Sequence, residues 1–206
     1  MIDNIEQIKR LLNFTDEGDF YMLYVFKRKK DQPEGERDNH QSVRTIKSYC
    51  VSSIGYLDTR YDEIKQLCEM FKARAYIHVQ KQNHKDVSLN MMVALAQRIQ
   101  DGNHKQQGLF DSVVGQLKTH EKRWIVDIDT KSLSVRNRII NIIENIKPIG
   151  VDSKIEEIIP TKNGVHLITK KFDILEFNKK MEVGNKTMPD IQKKNPTLLY
   201  YPESLG

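Results

Sequence analysis

The sequence predicts a mixed α/β protein with antiparallel sheets, and three observations predict it. Short runs rich in aromatic and β-branched residues, such as FYMLYVFKR at 20–28 and VRTIKSYCVSS at 43–53, read as strands. Other stretches repeat apolar residues at i, i+3, i+4 and i+7, the stripe of an amphipathic helix. Polar connections carrying Gly, Pro and Asn separate the two kinds of segment. A chain of 206 residues is long enough to bury its own core, and we expect two merged modules, an N-terminal α/β module over 1–118 and a second over 119–206.

Taken in order, Ile5, Ile8 and Leu12 give a short first helix, closed by the polar turn TDEGD at 15–19. The two strand-like runs follow, joined by KKDQPEGERDNHQS, which predicts a hairpin with a long mobile loop. Ile64, Leu67, Cys68 and Phe71 mark a helix, and RAYIHVQ (74–80) a strand after it. Leu89, Met92, Val93 and Ala96 predict the inner face of a further helix, and Phe110, Val113, Val114 and Leu117 that of another. A strand around 124–130 comes next, then a helix with Ile139, Ile142, Ile143 and Ile146 on one side, stopped by Pro148 and Gly150. The last third reads as strand KIEEIIPT, turn KNG, strand VHLITKKF, helix DILEFNKKM and strand TLLYY. Counted from Trp124 the order is β-α-β-β-α-β, that of an RRM-like sandwich with helices on one face of an antiparallel sheet and the other face open.

Composition bounds the function. The 33 basic residues exceed the 28 acidic ones for a net charge of +5, which suits a polyanionic partner without requiring one. Cys50 and Cys68 have neither CxxC nor Cys/His metal spacing, so a reduced intracellular setting is expected. MIDNIEQIKRLLNF builds no signal-peptide core, and no stretch approaches the ~20 apolar residues of a membrane span. A cytoplasmic protein with no membrane partner is the expectation.

Two motifs carry chemistry. In WIVDID, Asp127 and Asp129 fall two residues apart on a strand and therefore on one face, expected to be the open one, a common way to hold Mg²⁺ or Mn²⁺ through oxygen ligands. A solvated strand end capped by its aspartates fits D-x-D equally. In IIPTKNGVHLIT, Asn163-Gly164 forms a tight hairpin turn and His166 projects from the next strand, with Lys162 and the backbone N–H groups near Gly164 adding positive potential for phosphate. An ordinary hairpin with a half-exposed His is the alternative. Lesser candidates are the KRKK run at 27–30 with Lys193 and Lys194 for phosphate backbone, and Tyr200 or Tyr201 for stacking on a base.

WIVDID followed by a helix, then PTKNGVH in a strand-turn-strand, resembles the archaeo-eukaryotic primase superfamily of primase small subunits and primase-polymerases. The likeness covers mainly 124–200. It implies that Asp127 and Asp129 bind a divalent metal, Mg²⁺ or Mn²⁺, at a nucleoside triphosphate, and that His166 in Gly164-Val165-His166 contacts its phosphates. The third acidic position of the family maps best to Asp190 in MPDIQKKNPTLLYY, preceded by Pro189 rather than a plain hydrophobic residue; Glu176 and Glu203 are weaker substitutes. Lys162, Asn163 and Gly164 would then border the triphosphate, and Arg74 and Lys81 would line a groove for nucleic acid or triphosphate. The implied activity is metal-dependent, template-directed nucleotidyl transfer on single-stranded or primed DNA or RNA. With no zinc module or helicase segment in the sequence, priming would depend on a helicase or other replication partner. The rivals are a non-catalytic single-strand-binding protein on the same fold and a metal-dependent nuclease or phosphotransferase built around the same carboxylates.

Overall fold

The computed structural model describes residues 1–32, 43–117, 122–150, 152–182 and 188–205. The expected hairpin loop and the expected module boundary at 118/119 lie outside the described residues. In chain order the elements are β1 (Ile2–Asp3), α1 (Ile5–Leu11), β2 (Asp19–Arg28), β3 (Val43–Val51), α2 (Ile54–Phe71), β4 (Arg74–His78), β5 (Gln82–Asn83), α3 (His84–Gln100) and α4 (Leu109–Gln116). They continue with β6 (Trp124–Ile128), α5 (Leu133–Glu144), β7 (Ile155–Pro160), β8 (Val165–Thr169), α6 (Ile174–Glu182), β9 (Asp190–Gln192) and β10 (Pro196–Tyr201). The chain is thus mixed α/β, and every strand pair described is antiparallel.

Sequence explains the first sheet locally. Asp19–Arg28 and Val43–Val51 pair as the expected hairpin, from Tyr21↔Val51 to Arg28↔Val43. Helix α2 starts earlier than its apolar repeat because the Ser53 hydroxyl accepts the Tyr56 N–H at 3.0 Å, an N-cap. It lays Leu57, Tyr61, Ile64 and Cys68 on the sheet. The strand order is β1-β10-β4-β2-β3, with β5 on the start of β2. The last strand, TLLYY, therefore does not close the second sheet as expected. It inserts between β1 and β4 of the first, so the polypeptide ends in the sheet where it began.

The second sheet has the order β7-β8-β6-β9. Its closing strand is the three-residue β9, whose polar ends give little strand signal. Val126, Ile128 and Leu167 face α5 and α6 and pack with Ile139, Ile143, Phe177 and Met181. Alternation sends Ile125 and Ile168 to the opposite face. There, with Ile159, they join Ile8, Leu11, Tyr21, Val79 and Leu199 in one core shared with the first sheet. The face expected to be open is thus covered at this end. Arg123 braces the junction, donating to the Leu11 and Val79 carbonyls at 3.0 and 3.3 Å and to Glu156 at 2.5 Å.

Helix α3 departs from expectation. Leu89, Met92 and Val93, predicted to face inward, are 53, 69 and 71% exposed, and Ala96 is exposed too. Val87 is buried instead, with Met91, Ala94 and Leu95 packed beside it against Phe20, Met22 and Val113. The helix carries apolar residues around most of its circumference, so periodicity offers two stripes, and contact with α4 and β2 selects Val87/Met91/Leu95. No helix among the described residues is long and apolar enough to cross a membrane.

Candidate functional site

Asp127 occupies the central strand of the second sheet, and the register builds the site around it. His166 of β8 is its cross-strand partner on one side and Asp190 of β9 on the other. In such pairs the Cβ atoms lie about 5 Å apart, so His166, Asp127 and Asp190 form one lateral row. Asp129 follows the strand end, exposed to solvent. Two polar contacts tie the row together. Gln192, two residues along β9 and hence on the same face as Asp190, donates from Nε2 to Asp190 Oδ2 at 2.9 Å and more weakly to Asp127 Oδ2 at 3.5 Å. His166 Nε2 stands 3.5 Å from Asp127 Oδ1, and its Nδ1 is 2.9 Å from the hydroxyl of Thr197.

Burial and like charge both act on Asp127. Desolvation pushes its carboxyl up, the Asp129 and Asp190 carboxylates push it further, and Arg28 pulls the other way, leaving it at about 6. His166 is only 8% exposed, and burial lowers it to about 4, so the imidazole is neutral at physiological pH.

Part of this row stands on one wall of a cleft of about 740 Å³ between the sheets. Asp127, His166 and Gln192 face it from the second sheet. From the first sheet come Tyr24, Phe26, Tyr76 and His78, with Arg28 and Lys194 also lining it. The aromatic side is ordered by ring contacts: Phe26 stacks on Tyr76 at 4.8 Å, and Tyr24 meets His78 edge-on at 5.7 Å. The Tyr24 hydroxyl donates to Asp111 at 3.3 Å.

The structure therefore sets His166, Asp127 and Asp190 side by side on three neighbouring strands, with Asp129 just beyond the strand end. Of the other sequence candidates it brings only Arg28 and Lys194 to the cleft. Arg74 is 7% exposed, paired with Asp31 at 2.6 Å and laid over the Tyr201 ring at 4.7 Å. Lys81 is held by Asp19 at 2.9 Å and Thr15 at 2.6 Å. Lys162 donates to the Tyr201 hydroxyl at 2.9 Å and the Leu205 carbonyl at 3.4 Å, and Asn163 is exposed at the hairpin tip. The Gly164 N–H goes to Thr161 Oγ1 at 3.1 Å, and Thr161 N–H returns to the Gly164 carbonyl at 2.9 Å, giving a four-residue loop in place of a two-residue Asn-Gly turn. Tyr200 and Tyr201 are both buried, which removes them as stacking platforms. Glu176 caps the backbone at Lys147, while Glu203 N–H donates to Glu69. Of the KRKK run, Arg28 lines the cleft. Lys193 stands over Trp124, and Lys194 reaches both the cleft and the Gly115 carbonyl.

Sequence reasoning missed Gln192, Tyr24 and His78 as cleft residues, and Thr197 as the buried partner of His166 behind the cleft wall. Gln192 alone had a usable signal, since it alternates with Asp190. The others are visible only once β10 and β4 are known to be neighbours facing the second sheet.

Among the described residues no group of three or more His, Cys, Asp or Glu side chains stands close enough to hold a metal ion unaided. Mg²⁺ sites at triphosphates use one or two protein carboxylates and complete their shell with phosphate oxygens and water. Asp127 with one neighbouring carboxylate, Asp129 or Asp190, fits that chemistry. Comparison with protein-family models, curated proteins and solved structures returned no match.

The buried imidazoles also set an acid limit to stability. Burial holds His78 at about 4, as it does His166. The folded state therefore binds fewer protons than the unfolded chain below pH 6.5, and stability falls as pH is lowered. Asp127, raised in the fold, works the opposite way from pH 6 downward. With two groups against one, unfolding free energies from urea titrations at pH 7 and pH 5 should differ by about 2 kcal/mol, and His78→Gln should shrink the difference to about 0.5 kcal/mol. An unchanged pH slope in that variant would show that His78 is not held neutral.

Proposed function

We propose that the protein is a primase-polymerase-type nucleotidyltransferase, joining nucleotides on a DNA or RNA template with Mg²⁺ or Mn²⁺. The row His166–Asp127–Asp190, of which His166 and Asp127 face the cleft, with Asp129 just beyond the strand end, carries the reading. Phosphoryl transfer asks for positioning and charge neutralisation more than for a covalent catalyst, and this row supplies positioning and the carboxylates that would hold a neutralising cation. A divalent ion, when bound, would neutralise the triphosphate and the attacking oxygen together. Asp127, with Asp129 or Asp190 as a second carboxylate, would hold it, and neutral His166 would donate a hydrogen bond to a phosphate oxygen.

The opposite wall suits the rest of the substrate. Tyr24, His78 and the Phe26–Tyr76 pair offer aromatic surface for a base, and Arg28 and Lys194 offer cations for phosphate. The cleft is large enough for a nucleotide beside a template end. Cytoplasmic replication or repair partners, a helicase among them, fit the same reading.

Extension of primed and unprimed single-stranded templates with nucleotides and Mn²⁺ tests the proposal. Product is expected from the native chain and none from Asp127→Ala/Asp129→Ala. Polymerisation surviving that double substitution removes the site, while intact template binding without product from either protein favours the single-strand-binding alternative.

A further inference from the structure

We infer that Thr197 is a positioning residue that sets the tautomer of His166, so that the imidazole presents Nε2–H, a hydrogen-bond donor, to the cleft. The role in phosphate binding rests on the function proposed above; the tautomer itself does not.

Three observations on geometry lead there. The Thr197 hydroxyl lies 2.9 Å from Nδ1, and Thr197 has no solvent exposure. Nε2, on the far side of the ring, looks toward Asp127 Oδ1 at 3.5 Å. Alternation along β8 places His166 on the cleft face while Val165 and Leu167 turn to the helices.

Each ring nitrogen needs a partner of the opposite kind. An ionised carboxylate only accepts, so a lone pair on Nε2 would oppose the lone pairs of Asp127, whereas a proton there complements them. With the proton on Nε2, Nδ1 has a lone pair, and the Thr197 hydroxyl donates to it. The reverse arrangement fails twice, because Thr197 would accept from Nδ1 and its own buried hydroxyl proton would need another acceptor. At 3.5 Å the Nε2–H is not committed to Asp127. It remains available to a phosphate oxygen, the chemistry a triphosphate brings.

Thr197 belongs to β10 of the first sheet and His166 to β8 of the second. The donor at the site therefore depends on both sheets being docked. It also explains why a threonine follows Pro196 in a strand otherwise filled by Leu and Tyr.

The test uses the full chain labelled with ¹⁵N-histidine. At pH 7.5 His166 is expected to show a protonated, pyrrole-type Nε2 and a pyridine-type Nδ1. Thr197→Ser should retain that signature, while Thr197→Val, which keeps shape and loses the hydroxyl, should lose it through a mixed or inverted tautomer. Nucleoside triphosphate affinity in the presence of Mn²⁺ should weaken about tenfold in Thr197→Val, as for loss of one well-oriented bond to a charged group, and recover in Thr197→Ser. In turnover the loss should appear in KM more than in kcat. A pyridine-type Nε2 in the native chain, or an unchanged tautomer in Thr197→Val, overturns the inference. Should Thr197→Val fail to fold, the native spectrum with Thr197→Ser still decides it. If the tautomer is as expected but triphosphate does not bind, the proposed function fails and the positioning role stands.

Discussion

Replacing Asp127 by Asn should abolish nucleotidyl transfer and at the same time make the protein more stable. The native carboxylate is half-buried, flanked by Asp129 and Asp190, and held at about 6. A raised carboxyl pKa means that ionisation is costlier in the fold than in the unfolded chain. The cost is absent at low pH and fully present above pH 6. From 3.8 to about 6 it amounts to about 2–3 kcal/mol at pH 8. Asparagine keeps the shape, sheds the charge, and can donate to the neighbouring carboxylates. Its urea midpoint at pH 8 should therefore exceed that of the native chain by that amount, with the difference shrinking toward pH 4. Activity moves oppositely: losing the carboxylate at the centre of the row should lower extension about 10³-fold, as expected when several kcal/mol of charge stabilisation are lost. Mn²⁺ should raise the melting temperature of the native protein and leave that of the variant unchanged. Equal or lower stability in Asp127→Asn would mean the charges are already compensated, and retained extension would remove Asp127 from catalysis.

Such a trade explains why an Asp stands in a strand where Val126 and Ile128 pack fully on the helices. A residue chosen for folding alone would be apolar at 127, as Ile125 is on the same face. On the proposed function, the lateral row places destabilising charge where a cation would relieve it, which is how functional sites depart from the rules that the rest of the chain obeys.

The sequence made short-range features legible and long-range ones opaque. Aromatic and β-branched runs identified β2 and β3, and alternation along β6 put Asp127 and Asp129 on one face before any partner was known. Periodicity located α2 and α5 because each has one apolar stripe. It misjudged α3, where two stripes compete and only contact with α4 and β2 chooses between them. Asp190 was found through the family pattern, since DIQ is too short and too polar at its ends to announce a strand. Arg74 and Lys81 looked like groove cations because their carboxylate partners, Asp31 and Asp19, are distant in sequence. The covered face of the second sheet and the transfer of β10 to the first share that cause. Both depend on which sheet edge accepts a strand, and a strand's own residues do not encode its neighbour.

Gly164→Ala should be the most damaging small substitution in the hairpin. A Cβ at 164 would stand 1.8 Å from the Ile128 carbonyl oxygen and 2.8 Å from the Thr130 nitrogen. Both are backbone atoms, so no side chain can swing aside to make room. Gly164 is absent from the positive-φ glycines among the described residues, which are Gly18, Gly102, Gly108 and Gly150. The glycine is needed here for close approach of two backbones rather than for turn conformation. A methyl group must push the hairpin away from the end of β6, between His166 on one side and Asp127 and Asp129 on the other. The expected cost is about 3 kcal/mol or more, in the range of forced overpacking. Asn163→Ala, one residue earlier at the exposed tip, should change stability by less than about 0.5 kcal/mol. Urea unfolding separates the two. Amide shifts of Ile128 to Thr130 should move in Gly164→Ala and stay in place in Asn163→Ala. Any fraction of Gly164→Ala that folds should bind Mn²⁺ and triphosphate more weakly, because the strand end bearing Asp129 has shifted against His166. A Gly164→Ala protein as stable as the native chain, with Ile128 and Thr130 unmoved, would refute the backbone contact and with it the reason this hairpin must carry glycine two residues before its histidine.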